Sequence, residues 1–142
     1  MTVAGVEFEC NVKEYPSFVA NLPTLQEPHY VLYTSDLDEQ TQQPWCPDCK
    51  HADPIVEQVI KQTGGTLLKV KVGDMAAWKS KEHPFRQDSQ LHLTSIPTLV
   101  HWKADETLPG KRLDKQLECT HSAADVKSAV LAFTEKAKEQ DA

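Results

Sequence analysis

The chain has 142 residues, 39% hydrophobic and 25% charged, and its 15 Lys and Arg against 21 Asp and Glu leave a net charge of −6. That length and balance fit one domain with one core, expected over residues 1–142, and exclude an intrinsically disordered chain. The acidic charge lacks the basic footprint of a nucleic-acid or anionic-membrane binder, and the longest apolar run, Ala129 to Phe133, is far shorter than the ~20 residues of a membrane span.

From Met1 to Asn11 the chain carries Glu7 and Glu9 and no basic residue, so it lacks the charged start and apolar stretch of a secretory signal. The expectation is a soluble, intracellular protein. Four cysteines (Cys10, Cys46, Cys49, Cys119) in a reducing compartment do not make a structural disulfide framework. Their spacing therefore carries more information than their number.

Taken in chain order, Val3 to Phe8 reads as a first strand and Tyr15 to Leu22, closed by Pro23, as a short helix. Tyr30 to Thr34, β-branched and aromatic after Pro28, reads as a buried strand. Ser35 to Pro44 holds Asp36, Asp38, Glu39 and three glutamines without a basic residue, the composition of a solvated loop. It delivers the chain to Trp45-Cys46-Pro47-Asp48-Cys49. Beyond these, Ala52, Ile55, Val56, Val59 and Ile60 repeat at the spacing of one helix face, with Pro54 inside the helix, a kink expected there, and Gly64-Gly65 at its end.

Thr66 to Val72 alternates Leu68, Val70 and Val72 with Lys69 and Lys71, the period of a strand, and Gly73 breaks it. Met75 to Gln90 reads as an irregular helical region interrupted at Pro84. Leu99 to Trp102 and Arg112 to Leu117 read as two strands, with Gly110 before the second. Ser122 and Asp125 stand at capping-box spacing ahead of a final helix whose buried stripe is Val126, Ala129, Val130 and Phe133; the polar tail from Glu135 is expected to fray.

A cysteine pair where a strand hands over to a helix is a redox arrangement. If Cys46 caps the helix, Pro47 falls at its first position, where a missing N–H is harmless and the fixed φ suits the turn. The sulfur then faces the free amides of Asp48 and Cys49 and the positive end of the helix dipole, which favour thiolate over the ~8.5 pKa of a free cysteine. Cys46 is the expected nucleophile. Cys49, within one turn, is placed to attack a mixed disulfide on Cys46 and release the substrate. The Asp48 carboxylate opposes the thiolate while suiting the first helical turn.

Competing uses of the pair are disfavoured by spacing. A zinc site requires a second ligand pair, and neither Cys10, Cys119 nor the six histidines supply one, so no metal is expected. Covalent haem attachment requires histidine directly after the second cysteine, where Lys50 stands. Trp78, Phe85 and Trp102 are expected in packing rather than as a ligand platform, Cys10 and Cys119 as bystanders, and no histidine is assigned a role.

Trp45-Cys46-Pro47-Asp48-Cys49 together with Ile96-Pro97-Thr98 resembles the thioredoxin superfamily. The Pro47-Asp48 pair, the acidic loop before it, Val72-Gly73 followed by Trp78-Lys79 and Phe85-Arg86, and Glu118-Cys119 resemble in particular the 14 kDa thioredoxin-related family, that of thioredoxin domain-containing protein 17. The resemblance implies an α/β thioredoxin fold, a central mixed sheet with helices on both faces. It also implies a cytoplasmic, monomeric protein-disulfide reductase with no bound cofactor, recharged with NADPH electrons by thioredoxin reductase, acting on disulfide proteins or cystine, with peroxidase activity as a further expectation.

In that reading Cys46 and Cys49 match the redox-active dithiol, Pro97 the cis-proline, and Trp45, Pro47, Asp48 and Ile96 the rim where a substrate backbone would pair. A different class, a redox-sensing adaptor with little turnover, is the alternative. The chain departs from the family in residues near Pro109 to Lys111 and in its extended C-terminus. Ordinary thioredoxin also carries a buried aspartate in the strand before the motif; Tyr30 to Thr34 contains none, so the proton of the resolving cysteine is expected to go to Asp48 or water.

Overall fold

The structure is a computed structural model that describes residues 4–103 and 112–141. Its strands are β1 (Val6–Asn11), β2 (His29–Thr34), β3 (Thr66–Lys71), β4 (Thr98–Trp102) and β5 (Arg112–Leu113). Its helices are α1 (Tyr15–Asn21), α2 (Pro47–Thr63), α3 (Met75–Lys79), α4 (Pro84–Gln87) and α5 (Ala123–Asp141). The strands form one mixed sheet in the order β1-β3-β2-β4-β5. β3 runs parallel to both β1 and β2, while β4 is antiparallel to β2 and β5. This is the mixed sheet of the expected α/β class.

The continuous apolar run of β2 follows from its central place, because a strand covered on both faces has no side for water. Val31 and Tyr33 join Leu68, Val70, Trp78, Phe85 and Val100 in one core under α1, α3 and α4. Tyr30 and Leu32 join Val56, Ile60, Leu67, Leu99, Val126 and Val130 in the other, under α2 and α5. The lysines that alternate along β3 are mostly covered: Lys69 Nζ lies 2.8 Å from Glu57 of α2, and Lys69 and Lys71 each lie 3.8 Å from Glu9 of β1. A charged layer thus sits between the β1–β3 edge and α2.

Several elements end elsewhere than the local pattern suggests, each for an identifiable reason. β1 is set by its ladder to β3, from Val6 opposite Thr66 to Asn11 opposite Lys71, so it runs past Phe8; Val3 lies outside the described residues. The first helix ends at Asn21, ahead of Pro23 as expected, and a 3-10 turn, Leu22–Thr24, follows it. The region after Gly73 forms two short helices, because Pro84 lacks a donor and disfavours helical backbone before it. His83 caps the second, its Nδ1 accepting from the Phe85 amide at 3.1 Å.

The pattern Arg112 to Leu117 yields only a two-residue strand. Asp114 then accepts from the Lys115 amide at 2.6 Å and turns the chain into a 3-10 segment. Pro109 to Lys111, with Gly110, lie outside the described residues. The loop before Cys46 is solvated but ordered by its own acids. The Asp38 carboxylate accepts from the Gln40 and Thr41 amides, and Leu37 bridges Pro44.

The largest correction is at the C-terminus, where the polar tail is helical to Asp141 rather than frayed. Ala137 is buried, Asp141 accepts from Lys103 at 2.7 Å and faces His101 at 3.2 Å, and Lys138 donates to the Thr63 carbonyl. Tertiary contacts, invisible to local composition, hold these turns. α2 likewise continues through Pro54 to Thr63.

Candidate redox site

Cys46 is the N-cap of α2, with extended backbone (φ −87°, ψ 120°), and Pro47 occupies the first turn. Proline has no N–H to leave unpaired there, and Asp48 adds an acid at the positive helix end. Cys49, one turn on, is completely buried, whereas Cys46 is half-buried and accessible. Both are free thiols. The pair therefore divides into a presented sulfur and a protected one.

Their chemistry diverges accordingly. A hydrogen bond from the Cys49 side chain, supported by the Cys49 and Asp48 amides, brings the Cys46 pKa down to about 6; burial and the Asp48 charge oppose the shift. The same thiol contact, then burial and the charge of Asp53, holds Cys49 far above the ordinary thiol range. At neutral pH the arrangement has one thiolate, on Cys46, and one proton, on Cys49.

Around the pair, the Cys46 sulfur lies 3.8 Å from the Ile96 carbonyl, to which it donates only when protonated, and the Cys46 amide donates to Ser35 Oγ at 3.4 Å. Ile96-Pro97 is a cis peptide, as is Glu27-Pro28. The carbonyl of Ile96 faces the sulfur while its side chain is buried in the core, and Pro97 is buried beside it. Trp45 is half-buried and its indole N–H donates to the Gly73 carbonyl at 2.9 Å. Gly73 has φ +113°, a left-handed conformation that favours glycine, and its amide donates to Asp36 Oδ1 at 3.0 Å. Through that one residue the end of β3 anchors both the acidic loop and the tryptophan.

Pro47 is exposed and Asp48 half-buried. All seven residues singled out from the sequence (Trp45, Cys46, Pro47, Asp48, Cys49, Ile96 and Pro97) thus fall on two segments, the start of α2 and the entry to β4, which meet where Cys46 faces Ile96. The Asp48 carboxylate accepts from the Cys119 amide at 2.8 Å through Oδ1, which brings exposed Cys119, expected as a bystander, to the edge of the site. Burial, then Glu14 and Glu9, pushes the Cys10 thiol up to about 11, an inert core residue.

Two functional candidates escaped the linear reading. Asp53 is 3% exposed, one turn beyond Cys49 on the same helix face, and receives a 2.5 Å hydrogen bond from buried Thr34. Burial raises its carboxyl to about 7, against the lowering effect of Thr34. The available signal was the i, i+4 spacing of Cys49 and Asp53, with the acid placed beside Ala52 and ahead of Val56 in an apolar stripe.

Comparison with known proteins agrees with this geometry. Residues 4–121 match the family described as Thioredoxin domain-containing protein 17-like, thioredoxin domain. The thioredoxin-like protein Clot of Arabidopsis thaliana is 35% identical over 95 residues, 66% of this chain and 70% of its own length. Thioredoxin domain-containing protein 17 of Epinephelus coioides is 28% identical over 102 residues (70% and 81%), and that of Homo sapiens 33% identical over 66 residues (45% and 52%). With an α/β mixed sheet and a family match across most of its length, the chain belongs to the thioredoxin superfamily, in the thioredoxin domain-containing protein 17 family.

Proposed function

We propose that this thioredoxin-like protein is a cytoplasmic, monomeric protein-disulfide reductase that needs no bound cofactor. The observation that carries the reading is the split between an accessible Cys46 with its pKa near 6 and a buried Cys49 that keeps its proton. The Cys46 thiolate attacks one sulfur of a substrate disulfide, forming a mixed disulfide and expelling the other sulfur as thiolate. Cys49 then attacks Cys46, forming the Cys46–Cys49 disulfide and releasing the remaining substrate sulfur. The dithiol loses two electrons and the substrate gains two.

The substrate backbone pairs along the rim formed by Trp45, Pro47, Asp48 and Ile96 with Pro97, where the acids of the 35–44 loop disfavour acidic partners. NADPH electrons delivered by thioredoxin reductase restore the dithiol, and disulfide proteins or cystine are the substrates, with peroxides as a further class. The test is NADPH consumption with thioredoxin reductase and insulin or cystine. Multiple turnovers that vanish in Cys46→Ser are expected. Turnover unchanged in Cys46→Ser contradicts the assignment, and partner affinity that depends on oxidation state without turnover points to the adaptor instead.

A further inference from the structure

Trp45 stands directly before Cys46, and four hydrogen bonds join it to Asp36 and Gly73 in a closed triangle. The Trp45 indole N–H donates to the Gly73 carbonyl at 2.9 Å, and its amide donates to the Asp36 carbonyl at 3.3 Å. The Asp36 amide donates to the same Gly73 carbonyl at 3.2 Å, and Asp36 Oδ1 accepts from the Gly73 amide at 3.0 Å. The corner at Gly73 is tight, since a Cβ built there would lie 3.1 Å from Ala77 Cβ. Of the four bonds, one uses the Asp36 carboxylate, and it fixes the glycine that in turn fixes the indole.

Apolar surface collects around this triangle. Trp45 packs partly against the core beneath α1, α3 and α4 and stays half-exposed. Leu37, next to Asp36, is 45% exposed, and Met75, two residues after Gly73, is 47% exposed. Leu37 is held in that position by a miniature hairpin: it bridges Pro44, the Asp38 amide donates to the Gln43 carbonyl at 2.7 Å, and the Gln42 amide donates to the Asp38 carbonyl at 2.8 Å. An open cleft of about 470 Å³ adjoins, where Asp36 and Gly73 are joined by Val12, Val72, Ala77 and Pro84. Single exposed apolar residues are ordinary on a protein surface, but these border a half-buried tryptophan and an accessible sulfur.

We propose that Asp36 is a positioning residue: by fixing Trp45 against Gly73 it presets an apolar wall that selects substrates carrying an apolar residue beside the disulfide cysteine. This rests on the reading of Cys46 and Cys49 as a working dithiol. Asp36 acts through Gly73 and Trp45, so its effect falls on recognition rather than on sulfur exchange. A rigid indole offers contact area without the ordering cost that a free side chain incurs on binding, whereas a released indole would have to be ordered by each substrate. Loss of the clamp therefore weakens binding of an apolar neighbour, while a polar neighbour, which gains nothing from the wall, is unaffected.

The experiment mixes pre-reduced protein with an excess of either of two cyclic disulfide peptides, identical except for leucine or serine beside one half-cystine, and follows the single-turnover rate against peptide concentration. Asp36→Ala, checked for folding by its thermal transition, is expected to raise the half-saturating concentration of the leucine peptide about tenfold, with its limiting rate and the whole serine-peptide curve within about twofold. Asp36→Asn keeps Oδ1 as an acceptor and is expected to restore the leucine-peptide value, which separates the hydrogen bond from the charge. A folded Asp36→Ala protein with unchanged half-saturation, an equal rise for both peptides, or no rescue by Asp36→Asn overturns the proposal. Should Asp36→Ala not fold, the Trp45 indole N–H resonance of the unsubstituted reduced protein decides, with linear peptides that carry serine in place of both cysteines. A larger shift with the leucine peptide sustains the role; equal shifts, or none, remove it. An unsubstituted protein that forms no Cys46–Cys49 disulfide with either cyclic peptide overturns the dithiol reading, and this inference with it.

Discussion

Two cysteines three positions apart have opposite chemistry because one sits outside the first turn of α2 and the other inside it. Accessibility and amide donors favour charge on Cys46; burial and Asp53 forbid it on Cys49. Alkylation of Cys46 by iodoacetamide should therefore follow a midpoint about 6. Because the Asp48 charge raises that midpoint, Asp48→Asn should lower it and speed alkylation at acidic pH, and an upward shift would count against the electrostatic account.

Asp53 makes a second prediction through stability. Its carboxyl is raised on folding, so the folded state binds that proton more tightly than the unfolded chain. Asp53 is then harmless below its unfolded pKa and increasingly unfavourable as pH rises toward 7. Asp53→Asn should gain stability relative to the unsubstituted protein between about pH 4 and 7, read by urea denaturation at several pH values; a constant difference would show no linkage. The Cys-Pro-Asp-Cys pair was legible in the sequence because proline and cysteine chemistry is local. The Thr34–Asp53 contact was not, because it joins a strand to a helix 19 positions away.

At the scale of elements, the strand cores were readable because two-sided burial writes continuous apolar runs into β2 and β4. The fourth and fifth turns of α5 were not, because their residues are polar and their partners, Thr63, His101 and Lys103, lie far along the chain. Truncation after Glu135 should then destabilise the protein by on the order of 2 kcal/mol, through lost burial of Ala137 and the Asp141 contacts. A frayed tail would lose nothing. Within the same helix, Val130→Ala should cost about 2 kcal/mol, and Leu131→Ala, at an exposed position, within about 0.5 kcal/mol.

For the molecule as a whole, the sheet separates two tasks. One end carries Cys46, Ile96 and the acidic loop, while the layer between β1, β3 and α2 gathers Asp53, Lys69, Glu57 and Glu7 behind the buried sulfur. The negative charge that first distinguished the composition is thus partly concentrated at the site, with Asp36 and Asp38 building the loop and Asp48 and Asp53 flanking the dithiol. The central claim is that Cys46 attacks and Cys49 resolves. Its most direct test is peptide-mapping mass spectrometry of Cys49→Ser after exposure to a disulfide substrate. The account predicts a stable mixed disulfide on Cys46 alone; an adduct absent there, or carried instead by Cys10 or Cys119, would contradict it.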